Sequence, residues 1–382
     1  MVNMLFSLLS TAALLWPAVA SPVQGKITPR VFIFSMFEPE TTIWWDRPEF
    51  DLKARNISLP GLSPIYPDVH CTPDGDICQL TTGESEINAA SSVTALALSP
   101  LFDLRETYFL VAGIAGISPE QGTTGAVTFA RFAIQVALQY EIDIRELPDS
   151  YTTGYIPQGA YYPGEYPTSI YGTEVFEVNA NLRSLAASFA RTANLSDSAT
   201  AISYRANYNT SAIYQAAINA PSVLECDVAT SDVYYSGLFL GEAFDNTTTL
   251  LTNGTGVYCS TAQEDNASLE ALLRAAVYGL VDFARIIVMR TASDFDRPYP
   301  GEGAAEHLLY SSQGGYEPAV ENIYLAGIKV VEGILDGWDH TFKKGVAPDN
   351  YIGDIFGTLG GTPDFGPGRV ESLIDAGVLR RR

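Results

Sequence analysis

Continuous apolar runs of strand length recur along the chain and are typical of strands buried on both faces of a sheet. They lie at residues 30–36, 76–82, 107–112 and 285–294. Between and beyond them, helical spacing of apolar residues predicts helices at residues 87–98, 179–192, 269–283 and 319–337. Because strands alternate with helices, the pattern predicts an α/β fold, organised as a single domain over residues 21–382.

Four other segments have less regular patterns. Residues 37–40 are expected to form an acidic loop and residues 113–116 a glycine loop after a strand. Residues 125–138 are compatible with either strand or helix. Residues 148–173 are dense in Tyr, Pro and Gly, so we expect a long surface excursion that could act as a lid over a site.

The N-terminus carries an apolar run over residues 4–16 that closes on Pro17-Ala18-Val19-Ala20. This pattern predicts a signal peptide over residues 1–20, with a short membrane anchor as the alternative. No later run approaches the about eighteen apolar residues that a membrane-spanning helix needs. The sequence therefore predicts a secreted protein that cannot by itself form a multi-helix carrier.

Sequons and cysteines agree with an oxidising, glycosylating compartment. The six N-x-S/T sequons are at Asn56, Asn194, Asn209, Asn246, Asn253 and Asn266. Of the four cysteines, Cys71 and Cys78 bracket a short turn-rich loop and are expected to form one disulfide, and Cys226 with Cys259 the other. Buried free thiols are the alternative.

Charge and missing motifs exclude several functions. The chain has 22 Lys and Arg residues against 44 Asp and Glu, a net charge of −22, which disfavours nucleic acid and anionic membranes as partners. Neither G-x-G-x-x-G nor a phosphate-binding P-loop is present. The three histidines stand apart at His70, His307 and His340. We therefore predict no metal and no cofactor.

The strongest candidate site residues lie at the end of one predicted strand. The run at residues 285–294 ends with Ser293 and Asp294, at the strand end where open α/β sheets usually keep their sites. Upstream, residues 263–266 open a helix, so a helix start and a strand end could meet on one polar ligand. A helix N-cap is the alternative role for Asp294, and a helix-capping carboxylate is the alternative for Glu264.

Several motifs together resemble the purine nucleoside permease family, a branch of the nucleoside phosphorylase superfamily. The resemblance spans nearly the whole chain after the leader. It rests on residues 31–40 (VFIFSMFEPE), 82–90 (TGESEINAA), 111–119 (VAGIAGISP), 171–179 (YGTEVFEVN), 264–266 (EDN) and 290–294 (RTASD). It implies a three-layer nucleoside phosphorylase-like fold with a central mixed, partly barrel-like sheet, and a pocket for purine and ribose.

The resemblance also implies roles for individual residues. Asp294, with Ser293 beside it, matches the acid that protonates or hydrogen-bonds the purine, and Glu264 resembles the glutamate that binds the ribose hydroxyls. Further nucleoside-binding candidates are Asp265, Asn266, Gly83, Gly113, Ala115, Gly116, Tyr234 and Tyr235. Core packing is the alternative for the two tyrosines, which otherwise could stack on the purine.

Departures from the family pattern bear on the reaction. Where phosphorylases of this fold place a phosphate-binding arginine, this chain has Val111, and the first loop offers Glu38 and Glu40. Acidic groups repel phosphate but can orient and deprotonate water, so hydrolysis is favoured over phosphorolysis. A solvated acidic loop is the alternative for Glu38 and Glu40.

Three functions remain open on the sequence alone. The first is hydrolysis of purine nucleosides in extracellular uptake or salvage. The second is a non-catalytic, nucleoside-binding accessory protein that serves a separate membrane transporter. The third is a phosphate-dependent phosphorylase. The expected ligand is a purine nucleoside in each case, and assembly into a homo-oligomer is compatible with all three.

Overall fold

The structure is a computed structural model that describes residues 25–366, so the predicted leader at residues 1–20 lies outside the described residues. The strands are β1 (Val31–Ser35), β2 (Arg55–Ser58), β3 (Asp68–Cys71), β4 (Ile77–Thr81), β5 (Tyr108–Ile117), β6 (Val127–Ala130), β7 (Phe132–Gln135), β8 (Gln139–Glu141), β9 (Tyr155–Pro157), β10 (Val175–Glu177), β11 (Val223–Glu225), β12 (Asp227–Thr230), β13 (Tyr258–Ala262), β14 (Ile286–Phe295) and β15 (Gly353–Asp354).

Four of the eight α-helices in the described part of the chain lie where the apolar spacing predicts them. The eight helices are α1 (Glu38–Thr42), α2 (Ser85–Ala97), α3 (Ala180–Ala190), α4 (Ala199–Arg205), α5 (Leu238–Leu251), α6 (Asp265–Val277), α7 (Ala304–Leu309) and α8 (Tyr316–Asp336). Helix α3 begins after Asn179, whose side-chain oxygen accepts a hydrogen bond from the Leu182 amide and so caps the helix.

One large mixed sheet organises the molecule, and part of it closes into a ring. Strands β4, β1, β5 and β14 are parallel and pair with one another in that order. Strand β14 also pairs with β6, which runs on through Arg131 into β7. Strand β7 pairs with β12, β12 with β13, and β13 returns to β5. The predicted partly barrel-like mixed sheet is therefore present.

Helices cover the sheet on both faces, which explains why strands such as β1 and β4 are buried along their whole length. Phe32 and Phe34 of β1 point to one face and pack with residues of α2 and α6. Val31 and Ile33 point to the other and pack with residues of α3 and α8. These are the three layers of the predicted α/β class.

Three local expectations need correction, and the choice between strand and helix at residues 125–138 is decided. Strand β5 continues through residues 113–116, which are therefore strand and not a glycine loop. Residues 38–42 form the short helix α1 instead of an acidic loop, with Pro39 near its start. Residues 125–138 contain β6 and β7. Finally, the expected lid at residues 148–173 lines neither cavity of the candidate site described below.

Both expected disulfides, Cys71–Cys78 and Cys226–Cys259, are present. The second ties the segment between β11 and β12 to β13. Five sequon asparagines are exposed, whereas Asn266 is buried. Its side chain accepts from the Thr230 hydroxyl at 2.5 Å and donates to the Thr173 carbonyl at 2.8 Å. The folded structure therefore has no room for a glycan on Asn266.

Candidate active site

The candidate site lies where three parallel strands end together. Because β1, β5 and β14 run in the same direction, their carboxyl ends share one edge of the sheet. There β14 carries a bulge: Ala292 pairs with Ala115 and Asp294 pairs with Gly116, which leaves Ser293 as the extra residue. Bulges re-aim side chains and often lie beside active sites. Here the bulge sets Ser293 and Asp294 at the mouth of the sheet.

Two connected cavities open at this edge. The inner cavity, of about 180 Å³, is lined among others by Phe37, Glu40, Ile114, Glu264, Arg290 and Ser293. The outer groove, of about 970 Å³, is lined among others by Tyr234, Ser293, Asp294, His307, Gln313 and Tyr316. Phe37, Glu84, Ile114, Tyr234 and Ser293 line both, so the two form one continuous cleft.

Asp294 lines the outer groove, next to Ser293, which lines both cavities. Its carboxylate accepts hydrogen bonds from the Tyr234 hydroxyl and, at 3.4 Å, from the Ser293 hydroxyl. Burial raises the pKa of Asp294 above its ordinary value, although these hydrogen bonds and the charge of His307 lower it in part. The structure thus places a carboxyl that tends to hold its proton beside the cleft, and Asp294 is not a helix cap.

A buried charge cluster forms the floor of the inner cavity. Arg290, only 2% exposed, donates to Glu264 at 2.9 Å, to Asp265 at 2.9 and 3.2 Å, and to the Ile114 carbonyl at 3.1 Å. These carboxylates raise the pKa of Arg290 further above its ordinary value. The arginine is therefore held in its charged form with its donors already committed.

Glu40 enters the same cluster from α1. One oxygen accepts from the Met36 amide and the other from the Ile114 amide, each at 2.7 Å. Burial raises the pKa of Glu40 to about 8; nearby Glu264 also raises it, while Arg290 lowers it. A carboxyl whose pKa lies this close to neutrality can exchange a proton with a ligand or a water molecule at working pH.

Glu264 occupies the N-cap position of α6, but its side chain makes no capping hydrogen bond. One oxygen instead accepts from the Ser85 amide at 3.0 Å and the other from Arg290. Ser85 has φ of 77°, a left-handed conformation that is strained for serine. In this conformation the Ser85 N–H group points to Glu264, and the hydrogen bond fixes the Glu264 carboxylate at the cavity wall.

The glycines of β5 allow this close packing. A Cβ on Gly113 would lie 2.7 Å from Nη1 of Arg290 and 2.8 Å from Oε1 of Glu40. A Cβ on Gly116 would lie 2.4 Å from Oγ1 of Thr261 and 3.1 Å from Oδ1 of Asp294. Gly116 and Ala115 line the inner cavity, and Gly113 lies behind it.

Several predicted residues lie away from the cavity wall. Glu38 is exposed and lines neither cavity. Asp265 is fully buried as a partner of Arg290, and Asn266 ties α6 to neighbouring loops. Gly83, with φ of 84°, turns the chain into α2 without lining the cleft. These four support the site or stand outside it and are not placed to contact a ligand directly.

The two predicted tyrosines differ in their surroundings. Tyr234 is 61% exposed and covers Asp294 from the cleft side. Tyr235 is 8% exposed, bonds to the Tyr258 hydroxyl at 3.1 Å and packs edge-on against Phe244 at 4.5 Å between ring centroids. Tyr234 is therefore the better candidate for contact with a purine, together with Phe37, which lines both cavities.

Two residues of the site were not among the site candidates predicted from the sequence. Arg290 follows four apolar residues within β14, and a charge inside a buried strand signals a partnered functional group. Its carboxylate partners were among the candidates already. His307, 1% exposed in α7, lines the outer groove but sits in a segment with no recognisable motif. Only the tertiary structure brings it beside β14.

Within residues 25–366, no group of three or more His, Cys, Asp or Glu side chains has the arrangement that a metal site requires. No helix in this same part of the chain combines the length and apolar character of a membrane span.

Comparison with solved structures gives distant likenesses. A 5′-methylthioadenosine/S-adenosylhomocysteine nucleosidase from Neisseria meningitidis, in complex with methylthio-immucillin-A, is 12% identical with a TM-score of 0.46, covering 81% of this chain and 99% of the other. Futalosine hydrolase of Helicobacter pylori is 13% identical with a TM-score of 0.46, covering 81% and 97%.

Sequence relatives are much closer. A purine nucleoside permease of Candida albicans is 48% identical over 344 residues, which cover 88% of this chain and 83% of that protein. A probable purine nucleoside permease of Schizosaccharomyces pombe is 43% identical over 320 residues, 82% of this chain and 90% of that protein. The family model described as purine nucleoside permease (NUP) matches residues 28–347. With the family match extending across both cavities, the chain belongs to the purine nucleoside permease family.

Proposed function

We propose that this protein binds a purine nucleoside in the cleft and cleaves its N-glycosidic bond with water. Family membership supports the ligand class. The observation that carries the reaction is the division of the cleft: a proton-holding carboxyl, Asp294, lines the outer groove, and a carboxylate-rich cluster lines the inner cavity. Cleavage of this bond needs both an acid at the base and a group that activates water.

The reaction assigns one role to each carboxyl. Asp294 gives its proton to a purine ring nitrogen as the bond between sugar carbon and base breaks and its electrons pass to the base. Glu264 accepts hydrogen bonds from ribose hydroxyls. Glu40, in its ionised form, takes a proton from the water whose oxygen bonds to the sugar carbon, and the anionic cluster stabilises the cation character of the sugar. The products are free purine and ribose.

Hydrolysis is favoured over phosphorolysis because the described residues that line the cleft include no free arginine or lysine. Their basic side chains are Arg290 and His307. Arg290 is neutralised by Glu264 and Asp265, and both ring nitrogens of His307 are hydrogen-bonded within the protein. Val111, which stands where phosphorylases of this fold place an arginine, is fully buried in β5. Phosphate would thus meet carboxylates without an available cationic partner.

The second candidate is a binding protein that captures nucleosides for a separate membrane transporter. It is favoured by the family description and by the Tyr234 hydroxyl, which occupies one oxygen of Asp294. We also propose that the protein acts outside the cell as a glycoprotein. Its two disulfides and five exposed sequons support that location.

The test is incubation of purified protein with inosine, adenosine, guanosine and uridine, with and without phosphate, while free base, ribose and ribose 1-phosphate are followed. We expect purine and ribose without phosphate, and loss of turnover by a factor on the order of 10² or more in Asp294→Asn. Asp339→Asn, an exposed aspartate outside the cleft, is the matched control. Ribose 1-phosphate formed only with phosphate would establish a phosphorylase, and tight binding without turnover would establish the binding protein.

A further inference from the structure

Three residues that follow β14 in the chain contact the end of that strand and line the outer groove of the cleft. His307 of α7 bonds through Nε2 to the Phe295 carbonyl at 2.9 Å. Gln313 accepts from the Phe295 amide at 2.7 Å through its side-chain oxygen. A Cβ on Gly315 would lie 2.4 Å from the Ser293 carbonyl. Both peptide groups of the residue after Asp294 are therefore fixed by side chains.

Hydrogen-bonding groups surround both nitrogens of the His307 ring. Nε2 lies 2.9 Å from the Phe295 carbonyl, which can only accept, and 3.2 Å from the side-chain nitrogen of Gln313. Nδ1 lies 2.7 Å from the Tyr204 hydroxyl, which itself donates to Glu302 at 2.7 Å. Nδ1 also lies 3.3 Å from the Glu302 carboxylate.

Glu302 is a fixed counter-charge for this ring. Its other oxygen accepts from the Ser311 hydroxyl at 2.5 Å, and its side chain is 5% exposed. The groups that face His307 and Asp294 are thus Tyr204 of α4, Glu302 before α7, Tyr234 after β12, and Asp296 of the same strand end. A positive ring buried next to Asp294 favours the ionised carboxylate, which limits how far burial raises the pKa of Asp294.

We propose that His307 is a positioning residue for Asp294: through the Phe295 carbonyl it holds the bulged end of β14 so that the Asp294 carboxyl faces the cleft. Its charge sets the proton affinity of that carboxyl from a distance, without contact with the nucleoside. The inference rests on the proposed function only for the part that Asp294 plays as an acid. The geometry that links His307 to the strand end is independent of the reaction.

Two substitutions separate geometry from charge. His307→Gln keeps a donor that can reach the Phe295 carbonyl but removes the charge, and His307→Leu removes both. We expect kcat to fall on the order of a hundredfold in His307→Leu with KM little changed, because small misplacements of a reacting group cost about that much. In His307→Gln most of kcat should return. His340→Gln, an exposed histidine outside the cleft, is the control.

A readout that does not need turnover is the titration of Asp294 itself, followed by ¹³C NMR of aspartate-labelled protein. Its carboxyl signal is identified as the one missing in Asp294→Asn. We expect the midpoint to move to higher pH in His307→Gln and to stay in place in His340→Gln. An unmoved midpoint in His307→Gln, or wild-type kcat in His307→Leu, would overturn the inference. If no nucleoside is cleaved by any form, the hydrolytic function fails, whereas the titration still decides the role of His307, using His307→Gln if the leucine variant does not fold.

Discussion

At the scale of single residues, opposing influences set the pKa of Asp294. Burial raises its pKa, and hydrogen bonds from Tyr234 and Ser293 act in the opposite direction because they favour the carboxylate. Because the ring of Tyr234 is exposed to the cleft, a ligand there can change these influences on the pKa of Asp294. Under the proposed function, a purine that reaches Asp294 would compete with the tyrosine hydroxyl for the same oxygen.

Tyr234→Phe tests this balance. Loss of the hydroxyl removes a hydrogen bond to the carboxylate, so the pKa of Asp294 should rise and the protonated acid should persist to higher pH. We expect the alkaline limb of the profile of kcat against pH to move upward, and nucleoside binding to be retained. Tyr278→Phe, an exposed tyrosine far from the cleft, is the control. If the alkaline limb stays in place, Tyr234 does not influence the pKa of Asp294.

Glu40 gives a prediction about stability. Its folded pKa of about 8 exceeds its ordinary value of 4.5, so the folded state binds the proton more tightly than the unfolded chain. The resulting stabilisation is complete below about pH 4.5 and is lost as pH rises towards 8. Each pH unit inside that window costs at most about 1.4 kcal/mol.

The measurement is the free energy of unfolding against pH for the natural chain and for Glu40→Gln. The glutamine loses one backbone hydrogen bond at every pH, because its NH₂ group faces an amide donor, but it cannot titrate. The variant should therefore be less stable at acidic pH and lack the contribution of Glu40 to the alkaline decline. Identical slopes in the two proteins would contradict a raised pKa.

At the scale of elements, β5 decides how closely charged groups can approach one another. Its glycines lie within a regular strand, where they remove side chains that would collide with Arg290, Glu40, Thr261 and Asp294. Glycine in a strand interior often marks such close approaches. Side chains that line the inner cavity and the outer groove therefore pack against strand β5.

Gly113→Ala should disrupt this wall. The added methyl group would meet the guanidinium of Arg290 and the carboxyl of Glu40, both buried and hydrogen-bonded, so neither can move away cheaply. We expect a loss of about 1–3 kcal/mol in unfolding free energy and weaker nucleoside binding. Gly303→Ala, with open space around its Cβ position, should leave both unchanged. Calorimetry of unfolding and of binding measures the two effects.

Much of the element order could be predicted, since buried strands and packed helices leave distinct apolar patterns. Strand β14 and the position of Asp294 at its end follow from such a pattern. The continuation of β5 through its glycines did not, because glycine signals a turn locally and only the neighbours Arg290 and Thr261 explain it here. Helix α1 was missed because five residues carry too little periodicity to register.

The candidate site was predicted in part for a related reason. Carboxylates that end strands or begin helices can be found locally, which is how Asp294, Glu264 and Glu40 were identified. Their partners Arg290 and His307 come from other positions along the chain and meet them only in the folded sheet. These long-range contacts decide which carboxylate oxygen faces the cavity and which one accepts a hydrogen bond within the protein.

At the scale of the whole molecule, the surface combines strong negative charge with several sequons. The net charge is −22, and the sequon asparagines other than Asn266 are exposed. A glycan on Asn266 is incompatible with its hydrogen bonds to Thr230 and Thr173. Peptide mass mapping after production in a glycosylating host should therefore find Asn266 unmodified.

Substitution of the asparagines provides the check. Asn266→Gln should leave the glycan mass unchanged but cost about 1–3 kcal/mol of stability, because it breaks buried hydrogen bonds. Asn194→Gln, at an exposed sequon, should lower the glycan mass with little effect on stability. Loss of glycan mass in Asn266→Gln would show that this segment is open when the modification occurs.

The closed ring of strands has a consequence for synthesis of the chain. Strand β5 is made early, but its neighbour β14 follows about 170 residues later, and the ring cannot close before β14 has emerged. A ribosome-bound chain that ends before Ile286 therefore leaves apolar edges of β5 and β6 unpaired and attractive to chaperones. The same late strand carries Ser293 and Asp294, so an incomplete chain has neither a closed core nor the acid proposed for the reaction.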